Sequence, residues 1–334
     1  MRIRKTVVSI AVVEIPHARA TVRVCALAGG VGGAKLAAGL QAVLPPGDLS
    51  VVVNTADDFE LWGLRICPDL DTVMYTLAGF ANPETGWGVV DESFAALGML
   101  ARYGEDTWFK LGDRDLATHI LRTNRLRAGM RLTEVTAGLA AGLGVRSALL
   151  PMCDEPVSTA LKTPGALLDF QEYFVRRGQR DEVLDVELRG IENARIPAEV
   201  AGVIAEAEAI IFCPSNPVVS LGPILAVPGM RELLACSPAP KVAVSPIVGG
   251  RALKGPADRM LRSLGHEVSA AGVARMYEGV IDGMVIDRID EGEEASISAL
   301  GMRVLATDAV MRDQADRERL AREVLRFSSR VGEL

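Results

Sequence analysis

Residues 24–40, Val-Cys-Ala-Leu-Ala-Gly-Gly-Val-Gly-Gly-Ala-Lys-Leu-Ala-Ala-Gly-Leu, place Gly29, Gly30, Gly32, Gly33 and Lys35 between an apolar run and a small-residue stretch. A strand, a glycine turn and a helix start make an anion site. The turn exposes backbone N–H groups, glycines let phosphate oxygens approach, and the helix start carries partial positive charge. Lys35 adds a full charge at the same place. A Walker A loop ends in Gly-Lys-Ser/Thr, whereas Lys35 lies between Ala34 and Leu36. A dinucleotide fingerprint fits Gly30-x-Gly32, but Lys35 stands where its third glycine belongs. The second strand also ends in Asn54-Thr55 rather than in an acid for the ribose. The loop therefore points to a nucleotide phosphate and away from NAD, the alternative being a glycine-rich turn without a ligand.

A second set lies in residues 56–72, where Asp57, Asp58, Glu60, Trp62, Arg65, Asp69 and Asp71 crowd a loop. Several carboxylates facing a phosphate loop supply the hard oxygen ligands of a Mg²⁺ site. A solvated acidic loop is the competing account of any single Asp. Lys110, Asp113, Arg114 and Asp115 form a third set beside Gly112. They suit a surface salt-bridge network, with Asp113 as a helix cap, or a site where Lys110 and Arg114 hold an anion or orient a ring carbonyl. His119 is either a packed helical histidine or a catalytic one. Trp62, Trp87 and Trp108 all lie in glycine-flanked loops, Trp87 in Gly86-Trp87-Gly88, which suggests a platform for a planar ligand beside the alternative of core packing.

The elements that must position these residues follow from pattern. Val24–Ala28 and Leu49–Val53 read as buried strands around a helix over 34–43, a parallel pair with a right-handed crossover. Helical spacing covers 70–79, 91–102, 115–128, 132–142 and 311–329. Strand signals occur at 146–150, 168–174, 209–213, 241–244, 281–288 and 302–306, two of them ending in Pro-Ser-Asn-Pro (214–217) and Ser-Pro (245–246). The expected fold class is α/β, with one domain over 22–330. Its Rossmann-like parallel-sheet core spans about 22–66 and 200–310, and a smaller, mainly helical lobe is inserted over about 67–199. Polar loops past strand ends are where such sheets bind ligands.

Composition narrows the partners. A net charge of −7 and the lack of a Lys/Arg run give no case for nucleic acid. No stretch reaches the roughly 18 apolar residues of a membrane span. Five scattered cysteines suit a reducing cytoplasm, and three histidines argue against a His-based zinc site. Residues 1–21 read as a loosely packed N-terminal extension rather than a signal peptide, because Glu14, Pro16 and His17 interrupt the apolar run.

Six collinear segments carry a resemblance: 28–35 (Ala-Gly-Gly-Val-Gly-Gly-Ala-Lys), 52–58 (Val-Val-Asn-Thr-Ala-Asp-Asp), 67–72 (Cys-Pro-Asp-Leu-Asp-Thr), 110–119 (Lys-Leu-Gly-Asp-Arg-Asp-Leu-Ala-Thr-His), 214–224 and 244–249. Over about 22–325 the chain resembles the 2-phospho-L-lactate transferase family of coenzyme F420 biosynthesis. The resemblance implies transfer of a phosphorylated three-carbon acid, 2-phospho-L-lactate or phosphoenolpyruvate, to the deazaflavin Fo (7,8-didemethyl-8-hydroxy-5-deazariboflavin). The implied donor is lactyl- or enolpyruvyl-diphosphoguanosine, GMP leaves, and Mg²⁺ is required. It implies Asp71 and Lys110 as Fo contacts and Asp57 and Asp71 as metal ligands. Gly29, Gly30, Gly32, Gly33, Lys35, Ser215, Asn216, Ser245 and Pro246 fall on the guanine-nucleotide side. Lys35, Asp57 and Asp71 are then the expected catalytic set, in a cytoplasmic homodimer. Two rivals are a non-catalytic nucleotide-sugar-binding regulatory protein of the same fold and an NAD-dependent oxidoreductase. The segments at 67–72 and 110–119 disfavour the first; Asn54-Thr55 and Lys35 disfavour the second.

Overall fold

The computed structural model describes residues 22–333, so the expected extension over 1–21 lies outside the described residues. Seven strands form the central sheet: β1 (Val24–Ala28), β2 (Leu49–Val53), β3 (Ala148–Pro151), β4 (Ala209–Phe212), β5 (Lys241–Val244), β6 (Gly283–Asp287) and β7 (Arg303–Thr307). All neighbours are parallel, in the order β7-β6-β5-β4-β1-β2-β3. Central β1 pairs Ala26 with Val51 on one side and with Ile211 on the other.

Both faces of the sheet are covered, which explains strands that read as continuous apolar runs. Alternate side chains serve the two layers. Val24, Ala26 and Ala28 join the core under α1 (Gly30–Val43), α2 (Pro68–Ala78), α5 (Leu132–Gly142) and the last helix, α6 (Gln314–Gly332). Cys25 and Leu27 join the opposite core, under helices of residues 198–276. The chain winds outward from β1 to β3, then returns to place β4 on the other side of β1. The crevice beyond the carboxyl ends of β1 and β4 is the switch point where open α/β sheets take ligands.

The expected lobe over 67–199 is not one unit. β3 is an edge strand of the core sheet, and α2 packs on α1, so both belong to the core. What stands apart is a helical piece, α3 (Ala95–Arg102) with α4 (Asp113–Arg127), and a small antiparallel sheet of residues 158–162, 167–169 and 185–189. The strand expected over 168–174 ends at Asp169 and passes into a π-helical turn, Glu172–Arg176. α3 and α4 cap each other. Asp113 accepts from the N–H groups of Ala95 and Ala96, and Glu92 accepts from those of Arg114 and Asp115, which satisfies free donors at both helix starts. Asp113 thus caps α3 rather than its own helix.

Candidate active site

The helix after β1 begins at Gly30, earlier than the expected 34, so most of the glycine loop is the first turn of α1. Gly30 takes the left-handed φ of +58°, which glycine adopts without strain. Gly32 and Gly33 are required by a neighbouring loop. A Cβ at Gly32 would lie 2.3 Å from the Pro214 carbonyl oxygen, and one at Gly33 would lie 2.4 Å from Ser215 Oγ. Ser215 Oγ accepts from the Gly29 N–H at 3.0 Å and donates to the Gly29 carbonyl at 2.8 Å, which clamps the ends of β1 and β4 together. No side chain caps α1, so the positive end of a 14-residue helix opens at the switch point.

Acids face this helix start. Asp69, near the N-terminus of α2, accepts from Asn54 Nδ2 at 3.0 Å and lies against the Gly29–Gly30 backbone. Burial pushes its carboxyl up to about 6, against the pull of its contacts with Asn54 and the Gly30 N–H. Asp57 lies beside it, buried, with a weak 3.4 Å contact from Thr159 Oγ1. Burial, then the nearby charges of Asp69 and Asp58, raise its carboxyl well above the usual range. Neither carboxylate has a basic side chain as ion-pair partner among the described residues. Asp58 does: Arg65 Nη2 reaches it at 3.2 Å, although burial still lifts it to about 6.

Asp71 is placed differently from the expected pairing with Asp57. Arg122, on α4, binds both of its oxygens. Burial disfavours the Arg122 cation, but the Asp71 charge outweighs that and raises its pKa further. The same guanidinium reaches His119 Nδ1 at 3.1 Å. Arginine can only donate, so Nδ1 is the acceptor and the imidazole proton sits on Nε2. Nε2 lies 3.2 Å from Asp115 Oδ1, close but poorly aligned for a hydrogen bond, while the Tyr75 hydroxyl donates to the same oxygen at 2.8 Å. Burial opposes ionisation of Asp115, yet its contacts with His119, Tyr75 and Arg122 hold the carboxyl below the usual range. Arg122 is absent from the sequence reading. The available signal was that 115, 119 and 122 share one stripe of α4, an inward row of polar residues.

Asp115 opens onto a cavity of about 340 Å³ that it lines with Asn82, Trp87, Phe94, Lys110 and Gly112. Trp87 and Phe94 are 46% and 44% exposed, apolar surface at the mouth of the cavity that a flat ligand could cover. The cavity adjoins the glycine loop. A Cβ at Gly86, which lies in the chain between the lining residues Thr85 and Trp87, would be 3.1 Å from Val31 in the first turn of α1, and Lys254 Nζ donates to the Thr85 carbonyl at 3.1 Å.

The other expected residues divide. Lys35 donates to the Met311 carbonyl at 3.0 Å, and burial, then the Arg317 and Lys254 charges, lower its pKa. Asn216 Oδ1 accepts from the Val218 and Val219 N–H groups, and Ser245 Oγ bonds across its turn to Ile247, so both side chains shape their loops. Pro246 is half-buried beside Ser245. The three tryptophans do not converge. Trp87 lines the cavity, Trp108 packs edge-on against Phe109 near Phe59, and Trp62, at φ +51°, forms a hairpin turn.

Fold and site together describe an α/β protein with an uncapped helix start suited to an anion and an acid pair at its switch point. The family model described as 2-phospho-L-lactate transferase CofD matches residues 24–326, and the chain belongs to that family of transferases. It is similar to a phosphoenolpyruvate transferase of Streptomyces griseus, at 45% identity over 92% of this chain and 99% of that protein. It is also similar to a 2-phospho-L-lactate transferase of Methanosarcina barkeri, at 39% identity over 89% of this chain and 96% of that one. A solved UPF0052-family protein of Bacillus halodurans shares the fold, with a TM-score of 0.64 at 15% identity over 91% and 99% of the two chains. No helix among the described residues is long and apolar enough to cross a membrane.

Proposed function

We propose that the protein transfers a phosphorylated three-carbon acid from its guanosine diphosphate conjugate to the terminal ribityl hydroxyl of Fo, releasing GMP. The observation that carries this is an adjacency: the segment Thr85–Trp87, whose two end residues line a half-apolar cavity, meets Val31 in the first turn of α1, and an acid pair without cationic partners faces the start of that helix. One half suits a diphosphate, the other a planar ring. The Streptomyces relative is the more similar of the two named above, which favours the enolpyruvyl donor over the lactyl one.

Mg²⁺ suits the acid pair, since buried carboxylate oxygens without a countercharge are hard ligands in search of a cation. Asp57 and Asp69 would hold it, in place of the expected Asp57 and Asp71, because Asp71 is already neutralised by Arg122. When bound, it neutralises diphosphate charge. The first-turn N–H groups of α1, with Lys35 nearby, bear the rest of that charge and orient the donor. The hydroxyl oxygen of Fo attacks the phosphorus carrying the three-carbon acid, the bond from that phosphorus to the bridging oxygen breaks, and GMP departs with that oxygen. We assign the hydroxyl proton to Asp57 rather than to Asp71, whose two oxygens are held by Arg122 and which is therefore a poor base. Lys110 faces the deazaflavin in the cavity.

The test is turnover with Fo, Mg²⁺ and the guanosine diphosphate conjugates of lactate, enolpyruvate and glycerate, read by mass spectrometry. A mass-shifted deazaflavin with one equivalent of GMP supports the reading and identifies the acid. Folded protein that binds a UDP-sugar, ignores Fo and yields no product would overturn it in favour of the regulatory binding protein.

A further inference from the structure

The cavity wall presents both a hydrogen-bond acceptor, Asp115, and a donor, Lys110. Asp115 Oδ1 is occupied by the Tyr75 hydroxyl and faced by His119, while Oδ2 has no hydrogen-bond partner among the described residues. That oxygen belongs to a carboxylate held in its ionised form inside a largely buried site. Glu92, another acid on the wall, is committed to the backbone N–H groups at the start of α4. Lys110, on the same wall, offers an ammonium. An acceptor and a donor lining one cavity suit the polar edge of a pyrimidinedione, in which a ring N–H stands next to a carbonyl oxygen.

Resting on the function proposed above, we propose that Asp115 selects the deazaflavin by accepting the imide N–H of its pyrimidinedione ring, with Lys110 donating to the adjacent ring carbonyl. His119 is a positioning residue in this scheme. Arg122 holds Nδ1 and so sets the ring with Nε2 3.2 Å from Asp115 Oδ1, and the Asp71–Arg122 pair anchors the row. The buried charge network that the transfer chemistry leaves unused thereby sets the orientation of one carboxylate. A flavin-like ring qualifies as ligand; a ring alkylated at the imide nitrogen does not, because it leaves a buried carboxylate oxygen unpaired.

The experiment measures Kd for Fo and for its imide-N-methylated analogue, alongside Kd for GDP and the melting temperature. Wild-type protein is expected to bind the N-methyl analogue at least about tenfold more weakly than Fo. Asp115→Ala should bind the two alike, with Fo weakened about tenfold or more. Asp115→Asn keeps an acceptor and should fall between them. His119→Gln, which retains a donor toward Asp115, should keep Fo affinity, whereas His119→Leu should lose it, with GDP binding unchanged in both. A merely structural His119 would lower the melting temperature and leave the preference for Fo over its analogue untouched. If Asp115→Ala does not fold, Asp115→Asn and the analogue on wild-type protein still decide. Indifference of wild-type protein to N-methylation, or a folded Asp115 variant with the full wild-type preference, overturns the inference. Wild-type protein that binds GDP but neither deazaflavin overturns the proposed function, and this inference with it.

Discussion

Asp69 and Asp71 stand two positions apart on α2, both buried, and meet opposite fates. Residues i and i+2 of a helix point to nearly opposite sides. Asp69 turns to the start of α1, where it meets Asn54, backbone and another acid, Asp57. Asp71 turns to α4, where Arg122 takes both its oxygens. The first region is a concentration of negative charge without a countercharge; the second is a closed network of acid, guanidinium, imidazole and acid. A buried charge is tolerated when paired, and an unpaired group of like charges raises its own pKa values or recruits a cation. One region is therefore suited to hold something that arrives with substrate, and the other to hold itself still.

Breaking each region separately should produce opposite failures. Arg122→Met leaves Asp71 buried without its partner, and should cost about 3–5 kcal/mol in chemical denaturation while leaving the Asp57–Asp69 pair able to bind metal in the folded fraction. Asp71→Asn should also act mainly on stability; a stable variant that loses only kcat would place Asp71 in the chemistry after all. Asp57→Asn should do the reverse, lowering kcat about 10²–10³-fold with the melting temperature of metal-free protein unchanged or raised. Near-normal turnover in that variant would remove Asp57 from the mechanism. A smaller effect is expected at the clamp between β1 and β4. Ser215→Ala leaves the Gly29 N–H and carbonyl unpaired, and should cost about 1–3 kcal/mol and raise KM for the donor more than KM for Fo.

How much of this could be read in the sequence divides along the same line. Buried parallel strands announce themselves because both faces are apolar, and Val24–Ala28, Leu49–Val53 and Lys241–Val244 lie where the pattern places them. The edge strand Ala148–Pro151 was visible as a strand, but its place beside β2 depends on a crossover of about a hundred residues that no local pattern encodes. The glycine loop was legible as a close-approach segment. That Gly32 and Gly33 are pressed by Pro214 and Ser215 was not, because the neighbour comes from nearly two hundred residues away. Pro-Asp-Leu-Asp shows two acids and cannot show which is paired, since the deciding residue, Arg122, sits on another helix. Local sequence gives the ligand types; topology distributes the countercharges.

The most delicate contrast between the regions is their response to pH, because the shifts have opposite sign. In the folded chain Asp69 is raised to about 6 by burial, and Asp57 is raised as well, so the folded protein holds protons there that the unfolded chain has released. The stabilisation tied to that retained proton is fully present below the unfolded value of about 3.9 and is lost as pH rises through about 6. Asp115 is lowered by its contacts, so its contribution is present above the unfolded value and fades only as acid protonates it in the folded state. Metal-free Asp69→Asn should therefore match wild-type protein only near pH 4, pull ahead of it as pH rises toward about 6, and hold a steady lead above that. Asp115→Asn should be the less stable near neutrality and approach wild type in acid. Mg²⁺, which favours ionised carboxylates, should raise the wild-type melting temperature more at pH 7.5 than at pH 5, and should do little for Asp69→Asn. Thermal melts of the three proteins across that range, with and without Mg²⁺, check both signs at once. Parallel curves for the two variants would show that the acid pair and the paired network are electrostatically alike, and would remove the physical ground for assigning the metal to Asp57 and Asp69.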